Sequence, residues 1–226
     1  MDLLEAIRTR HSVRSYTSQK IEGDIKDELS SLLQEYNQAS GLHMQLVFGE
    51  PKAFRGFMAH FGKFSGVENY IAVIGKKDGS DEILCGYYGE KIVLRAQQLG
   101  LNTCWVAMTY GKVKNAYQLE KDEKVYMVIA IGYGQDQGHP HKSKSAKDVS
   151  NLTDDSPEWF RNGVEAALLA PTAMNQQKFY FTLHEDQRVS LKAGIGFYSK
   201  TDLGIAKYHF EIGAGTENFQ WKTDLQ

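Results

Sequence analysis

Two stretches of this chain spell out the same succession of elements, and that recurrence limits the folds open to it more than any other feature. The first stretch reads as a helix over residues 25–36, with Leu29, Leu32, Leu33 and Tyr36 on one side. It passes through Ala39-Ser40-Gly41-Leu42-His43-Met44-Gln45 into a short strand over 44–48. The second reads as a helix over 158–169, then Pro171-Thr172-Ala173-Met174-Asn175-Gln176-Gln177, then a strand over 179–184. Further on, Gly89 to Trp105 and Gly204 to Trp221 each read as a helix that starts after an aromatic-rich turn, Tyr87-Tyr88 or Phe197-Tyr198. Each ends, after a glycine, on an extended Trp.

The remaining elements fit between these marks. A first helix over 2–9 carries Leu3, Leu4 and Ile7 at helical spacing, with Asp2 and Glu5 where the macrodipole favours acids. Apolar runs give strands over 69–75, 102–106 and 125–132. The helix over 82–99, capped by Gly100, is expected to be the longest, and another helix is expected over 202–213. Residues 134–155 turn polar, with Lys142, Lys144 and Lys147, and form a long surface connection. The chain therefore divides into a first half, 1–150, and a shortened second half, 151–226.

At 226 residues, with 42% apolar side chains, there is material for a real core without disulfides, and no run approaches the roughly 20 apolar residues of a membrane span. A net charge of −2 argues against coating nucleic acid, which needs surplus Lys and Arg. Any bound anion must be held by a local cluster. The start, Met1-Asp2-Leu3-Leu4-Glu5, lacks the marks of a secretory signal, and with only Cys85 and Cys104 present a reducing cytoplasm is the expected compartment.

Two segments carry candidate chemistry. Arg10-His11-Ser12-Val13-Arg14 puts two guanidinium groups and a hydroxyl within one turn, which suits bidentate recognition of a phosphate; a solvated helix end would show the same residue types. In Ala170-Pro171-Thr172-Ala173-Met174-Asn175-Gln176-Gln177, Pro171 stops a helix and leaves small residues and amides free to lie against a planar ring; an ordinary helix-to-strand connector also fits.

Together these segments resemble the nitroreductase-like flavoenzyme family. Its Arg-x-Ser-x-Arg/Lys turn is matched by Arg10, Ser12 and Arg14, and its Ala-Pro-Ser-x-x-Asn-x-Gln loop by Ala170, Pro171, Thr172, Asn175 and Gln177. Gly100-Leu101-Asn102-Thr103-Cys104-Trp105 is similar to the family's Gly-Leu-Gly-Thr-x-Trp, and Ile131-Gly132-Tyr133-Gly134 to its Ile-Gly-Tyr-Pro. Two departures stand out. Lys178-Phe179 replaces the family's Pro-Trp, and the Asn loop lies far downstream instead of soon after the Arg motif.

The resemblance implies an α+β fold with a central, mostly antiparallel sheet flanked by helices. It implies FMN as cofactor, NAD(P)H as electron donor, and an enzyme that passes hydride through flavin N5 to small nitroaromatic, quinone or related acceptors. A flavin-binding protein that has lost turnover is the alternative, and flavin-fragmenting or dehalogenating relatives share the same marks. Arg10, Arg14 and a Lys142/Lys144 pair would meet the phosphate, and His11 and Ser12 the phosphate, ribityl or ring edge. Thr172 and Asn175, with Pro171, Ala173 and Gln177, would approach the ring, beside the backbone of Trp105, Val106, Ala107 and Met108. No side chain is singled out as an acid, base or nucleophile. Family members are typically intertwined homodimers whose protomers share each flavin, so a chain with two related halves, a pseudo-dimer, would build one composite site and exist as a monomer or weak homodimer.

Other signals lead elsewhere. Gly132-x-Gly134-x-x-x-Gly138 has the wrong spacing for a dinucleotide loop, and His139 and His141 lack neighbours that would complete a metal shell. Cys85 and Cys104 are too far apart in sequence for a Cys-x-x-Cys redox pair.

Overall fold

The structure, a computed structural model, describes residues 1–222. The chain enters through helix α1, Leu3–Thr9, whose first turn is capped by the Asp2 carboxylate accepting from Glu5 N–H at 2.8 Å. Helix α2, Gly23–Ser40, buries Leu29 and Leu33 and stops where Gly41 takes a left-handed φ of +76°. With 18 residues it is longer than α4, Glu82–Gln98, which has 17, so the expected order of lengths is corrected. The ends of α2 are polar and carry no apolar period, so periodicity alone undercounts them.

Strands β1 (Gln45–Val47), β2 (Tyr70–Lys76), β3 (Asn102–Val106) and β4 (Glu123–Gly132) form one antiparallel sheet in the order β1-β2-β4-β3. Every residue of β2 but Lys76 is buried, because the sheet is covered on both faces. Helices α2 and α4 pack on one face. A 3-10 turn at Pro51–Phe54, the short helix α3 (Phe57–Phe61) and their flanking loops gather over the other. Neither of these two short elements was legible from periodicity.

A second group of elements follows residues 133–157: α5 (Glu158–Leu168), β5 (Phe179–Leu183), β6 (Arg188–Ala193), α6 (Ser199–Ala214) and β7 (Gln220–Trp221). Its three strands form their own sheet, with β5 and β6 antiparallel and β6 and β7 parallel. The expected antiparallel sheet is therefore present, but accompanied by a smaller separate one. Around Phe160, Phe181 and Phe210 lies a core drawn from residues between Val149 and Phe219, while the larger sheet organises cores of its own.

Apart from the 3-10 turn and α3, which lie between β1 and β2, the order α2-β1-β2-α4-β3 recurs as α5-β5-β6-α6-β7. Strands β2 and β3 each run antiparallel to the intervening β4, and so parallel to one another; β6 and β7, with nothing between them, pair directly in parallel.

Helices α4 and α6 cross at close range and join the two groups. Gly86 faces the backbone of Thr201, and Gly204 faces that of Ile83 and Tyr87, so neither position has room for a Cβ. This corrects the reading of Gly89 and Gly204 as helix starts. Both lie inside helices, where glycine serves close packing. Tyr87 and Tyr88 likewise belong to α4 and not to a turn, with the Tyr87 ring meeting Tyr208 of α6 at 5.2 Å. No helix among the described residues is long and apolar enough to cross a membrane.

Candidate active site

Arg10 is the C-cap of α1, and from there the chain is extended. Ser12 bridges to Thr103 in parallel, Val13 N–H donates to the Thr103 carbonyl at 3.0 Å, and Tyr16 bridges to Gly134. The segment thus lies along the free edge of β3. It is extended where a turn after the helix was expected, and an extended chain sets the alternate residues Arg10, Ser12 and Arg14 on one side. Val13 goes into the core, while Arg10, His11, Ser12 and Arg14 line a cavity of about 980 Å³.

The opposite wall comes from the far end of the sequence. Pro171 ends the run of α5, and Pro171, Thr172, Ala173, Met174 and Asn175 line the same cavity, as do Trp105 and Val106 at the end of β3 and Ala107 and Met108 just past it. The volume lies at the upper end of what small-molecule and cofactor sites occupy.

The 171–177 loop is held under strain. Met174, Asn175 and Gln177 all have positive φ, at 50°, 52° and 44°, which an Asn tolerates and the other two do not favour. Several tethers fix it. Gln177, 1% exposed, donates to the Leu168 carbonyl at 3.0 Å and accepts from Lys144 N–H at 2.7 Å. Lys144 Nζ donates to the Gln177 carbonyl at 3.0 Å, and Asn175 Nδ2 to the Lys142 carbonyl at 2.7 Å. From α6, both oxygens of Asp202 accept from Ala173 N–H, at 2.9 and 3.2 Å, and Oδ2 accepts from Gln176 Nε2 at 2.7 Å.

Lys142, Lys144 and Gln177 were expected at the ligand and stand outside the cavity lining, where they strap the loop in place. The other twelve residues expected at the site all line the cavity.

Two further lining residues carried no signal in the sequence. Lys63 and Phe64, just past α3, add a cation and a ring, and the Arg14 guanidinium sits over Phe64 at 6.0 Å. Phe61, Met108, Met174 and Phe197 line the cavity while staying largely exposed, which gives it an apolar, aromatic rim. Asp136 and Asp202 are its carboxylates.

Arg10 is the most constrained cation, being 3% exposed. Burial lowers its pKa below the ordinary 12.5, opposed by Glu90 and then Cys104, and a guanidinium does not give up its proton within proteins. Its Nε finds no hydrogen-bond partner among the described residues and lies 3.9 Å from Glu90 Oε1. A buried donor without a partner is costly, and the neighbouring Glu90 carboxylate offsets part of that cost. His11 is held below the ordinary imidazole range by its burial first, then by Arg10 and His141, which keeps it neutral near pH 7 and able to donate or accept a hydrogen bond. Burial also pushes both cysteine thiols up, so neither is a nucleophile. No group of three or more His, Cys, Asp or Glu among the described residues could hold a metal ion.

Residues 2–214 match the model of a protein family described as "Putative TM nitroreductase". The chain belongs to this nitroreductase family. Among solved structures, a protein of Thermotoga maritima described as a nitroreductase is 24% identical to this family member, covers 96% of it and 85% of its own length, and superposes with a TM-score of 0.70. Two others were solved in complex with FMN. The one from Desulfovibrio desulfuricans is 18% identical, with a TM-score of 0.52 over 70% of this chain and 99% of its own. The one from Exiguobacterium sibiricum is 18% identical, with a TM-score of 0.53 over 68% of this chain and 98% of its own. At these identities the likeness is one of fold, and these two neighbours find nearly their whole length within about two thirds of this chain. No curated protein matches the sequence.

Proposed function

We propose that this protein is an FMN-dependent NAD(P)H oxidoreductase that reduces small, flat acceptors such as nitroaromatics and quinones, using one composite site per chain. One observation carries the reading: the Arg10-to-Arg14 segment and the Pro171-to-Asn175 loop, at opposite ends of the sequence, wall a single cavity.

The residues fit the cofactor. Arg10 and Arg14 offer charge-assisted donors for a phosphate, with the Ser12 hydroxyl beside them. Thr172, Ala173 and Asn175 offer a narrow, strained loop edge for a planar ring. FMN, when bound, supplies hydride-transfer chemistry, and the polypeptide positions it and shields it from water. The apolar rim, made of the Phe61 and Phe197 rings with Met108 and Met174, suits an apolar acceptor stacked at the mouth. This role needs no triad or metal from the chain.

The two halves, 1–150 and 151–226, are in this reading related copies. The recurring element order, the shared parallel relation of β2 with β3 and of β6 with β7, and the separate cores support it. The first copy retains the cationic segment and the second retains the loop. A junction that family dimers assemble from two protomers is here built within one chain.

The test is anaerobic addition of NADH or NADPH to FMN-loaded protein. Loss of the visible flavin band, and its return on adding a quinone or nitroaromatic, is the expected result. A bound flavin that neither donor bleaches makes the protein a flavin binder without turnover and overturns the enzymatic reading.

A further inference from the structure

Behind the Arg10 wall lies a fully buried polar cluster that joins the two crossing helices. Glu90 of α4 is 0% exposed, and its Oε2 accepts from Trp105 Nε1 at 2.8 Å. Its Oε1 lies 2.8 Å from Nε2 of His209 on α6, also 0% exposed, and 3.9 Å from Arg10 Nε. The other ring nitrogen of His209, Nδ1, is 3.1 Å from the Ala166 carbonyl.

Counting protons settles the charge. A carbonyl oxygen only accepts, so Nδ1 must carry a hydrogen, and the short Nε2 to Oε1 contact needs a second one between the two atoms. Glu90 already accepts from Trp105 and stands near the guanidinium, so it is read as the acceptor of this pair too, with the second proton on the ring. In that arrangement the cluster of Arg10, Glu90 and His209 carries two positive charges and one negative.

We propose that His209 is a positioning residue which takes up the charge of Glu90, so that Arg10 faces the cavity with its own charge unspent and available to an anionic ligand. This rests on the reading that Arg10 meets the phosphate of FMN. Without His209, Glu90 would turn to Arg10 and close an internal ion pair, and the wall would present no net charge. A residue of the second half would in this way set the strength of the anion site in the first.

The decisive experiment compares His209→Gln with the double variant His209→Gln/Glu90→Gln, measuring affinity for FMN and for riboflavin, which lacks the phosphate. In the single variant the net charge of the cluster falls by one, and FMN should bind roughly tenfold more weakly, or worse, with riboflavin much less affected. In the double variant the charge is restored and every polar atom can be satisfied: the new amide on α4 accepts from Trp105 and donates to the new amide on α6, which in turn donates to the Ala166 carbonyl. Affinity for FMN should recover most of the loss, whereas a merely structural role for His209 makes the double variant as poor as the single one or poorer.

If His209→Gln does not fold, nitrogen NMR of the wild-type ring near pH 7 decides instead: two protonated ring nitrogens are expected, and a neutral ring overturns the proposal. Wild-type protein that binds no FMN takes down the functional reading along with this one. Wild type that binds FMN no better than His209→Gln overturns this one alone.

Discussion

Replacing Gly204 by Ala probes the helix crossing on which the proposed composite site depends. A Cβ at this position would stand 2.7 Å from Tyr87 N and 3.0 Å from the carbonyl carbon of Ile83, and closer still to the Ile83 oxygen. Cβ atoms essentially never approach within 3.0 Å of another heavy atom, and the obstacle is backbone, so α4 and α6 must part by several tenths of an ångström or more. Overpacking of this kind costs about 3 kcal/mol, and the better helix propensity of Ala returns about 1 kcal/mol. The net loss of about 2 kcal/mol corresponds to a fall in Tm of roughly 4–8 °C in a chain of this size. The functional effect follows from the same movement. His209 Nε2 and Glu90 Oε1 are 2.8 Å apart across this crossing, and opening it by about half an ångström takes them beyond good hydrogen-bonding distance. Gly56→Ala serves as control, because its Cβ would meet nothing within 4 Å and its φ is −80°. Thermal unfolding with and without FMN, alongside a flavin-binding titration, reads both effects. Gly204→Ala protein that melts with the control and binds FMN like wild type would refute the claim that this crossing is tight and that the site leans on it.

Arg10→Ala removes a buried, charge-assisted donor worth about 1.5–3 kcal/mol, so FMN affinity should fall about 10- to 100-fold; retention of full yellow colour through purification would reject its role. Asp202 gives a pH signature. Desolvation, opposed by Gln176 and Ala173, raises its pKa from 3.8 to about 6 in the folded protein. A carboxyl raised in this way binds its proton first in the native state, so stability rises as pH falls from about 7 toward 4. Wild type should gain about 1.4 kcal/mol between pH 7.5 and 5 relative to Asp202→Asn in urea unfolding, and parallel pH profiles for the two proteins would contradict it.

The chemistry of the walls was legible because it is written locally. Arg10, Ser12 and Arg14 recur at a spacing of two, and Pro171 must end a helix, so residue type and position together named both segments. Their meeting was legible only through the repeated element order, since nothing near Asn175 in sequence points to Arg10. Phe61, Lys63 and Phe64 stayed hidden, because the stretch around α3 has no period and reaches the cavity through packing on the sheet. Glu90 and His209 were invisible for a related reason. Each looks like an ordinary polar residue on a helix, and their burial is a property of the α4 and α6 crossing, which neither helix encodes alone. For Lys142, Lys144 and Gln177 the residue types suggested ligand contacts, yet an amide or ammonium that can hold a ligand can equally hold a backbone carbonyl. At a loop with three positive-φ residues the tethering demand prevails.

Flavin stoichiometry bears most directly on the composite site. Protein saturated with FMN and freed of excess cofactor should hold one flavin per chain, with the ring close enough to Asn175 to protect its side-chain amide signals in NMR. Two flavins per chain, or colourless protein after incubation with excess FMN, would contradict the account.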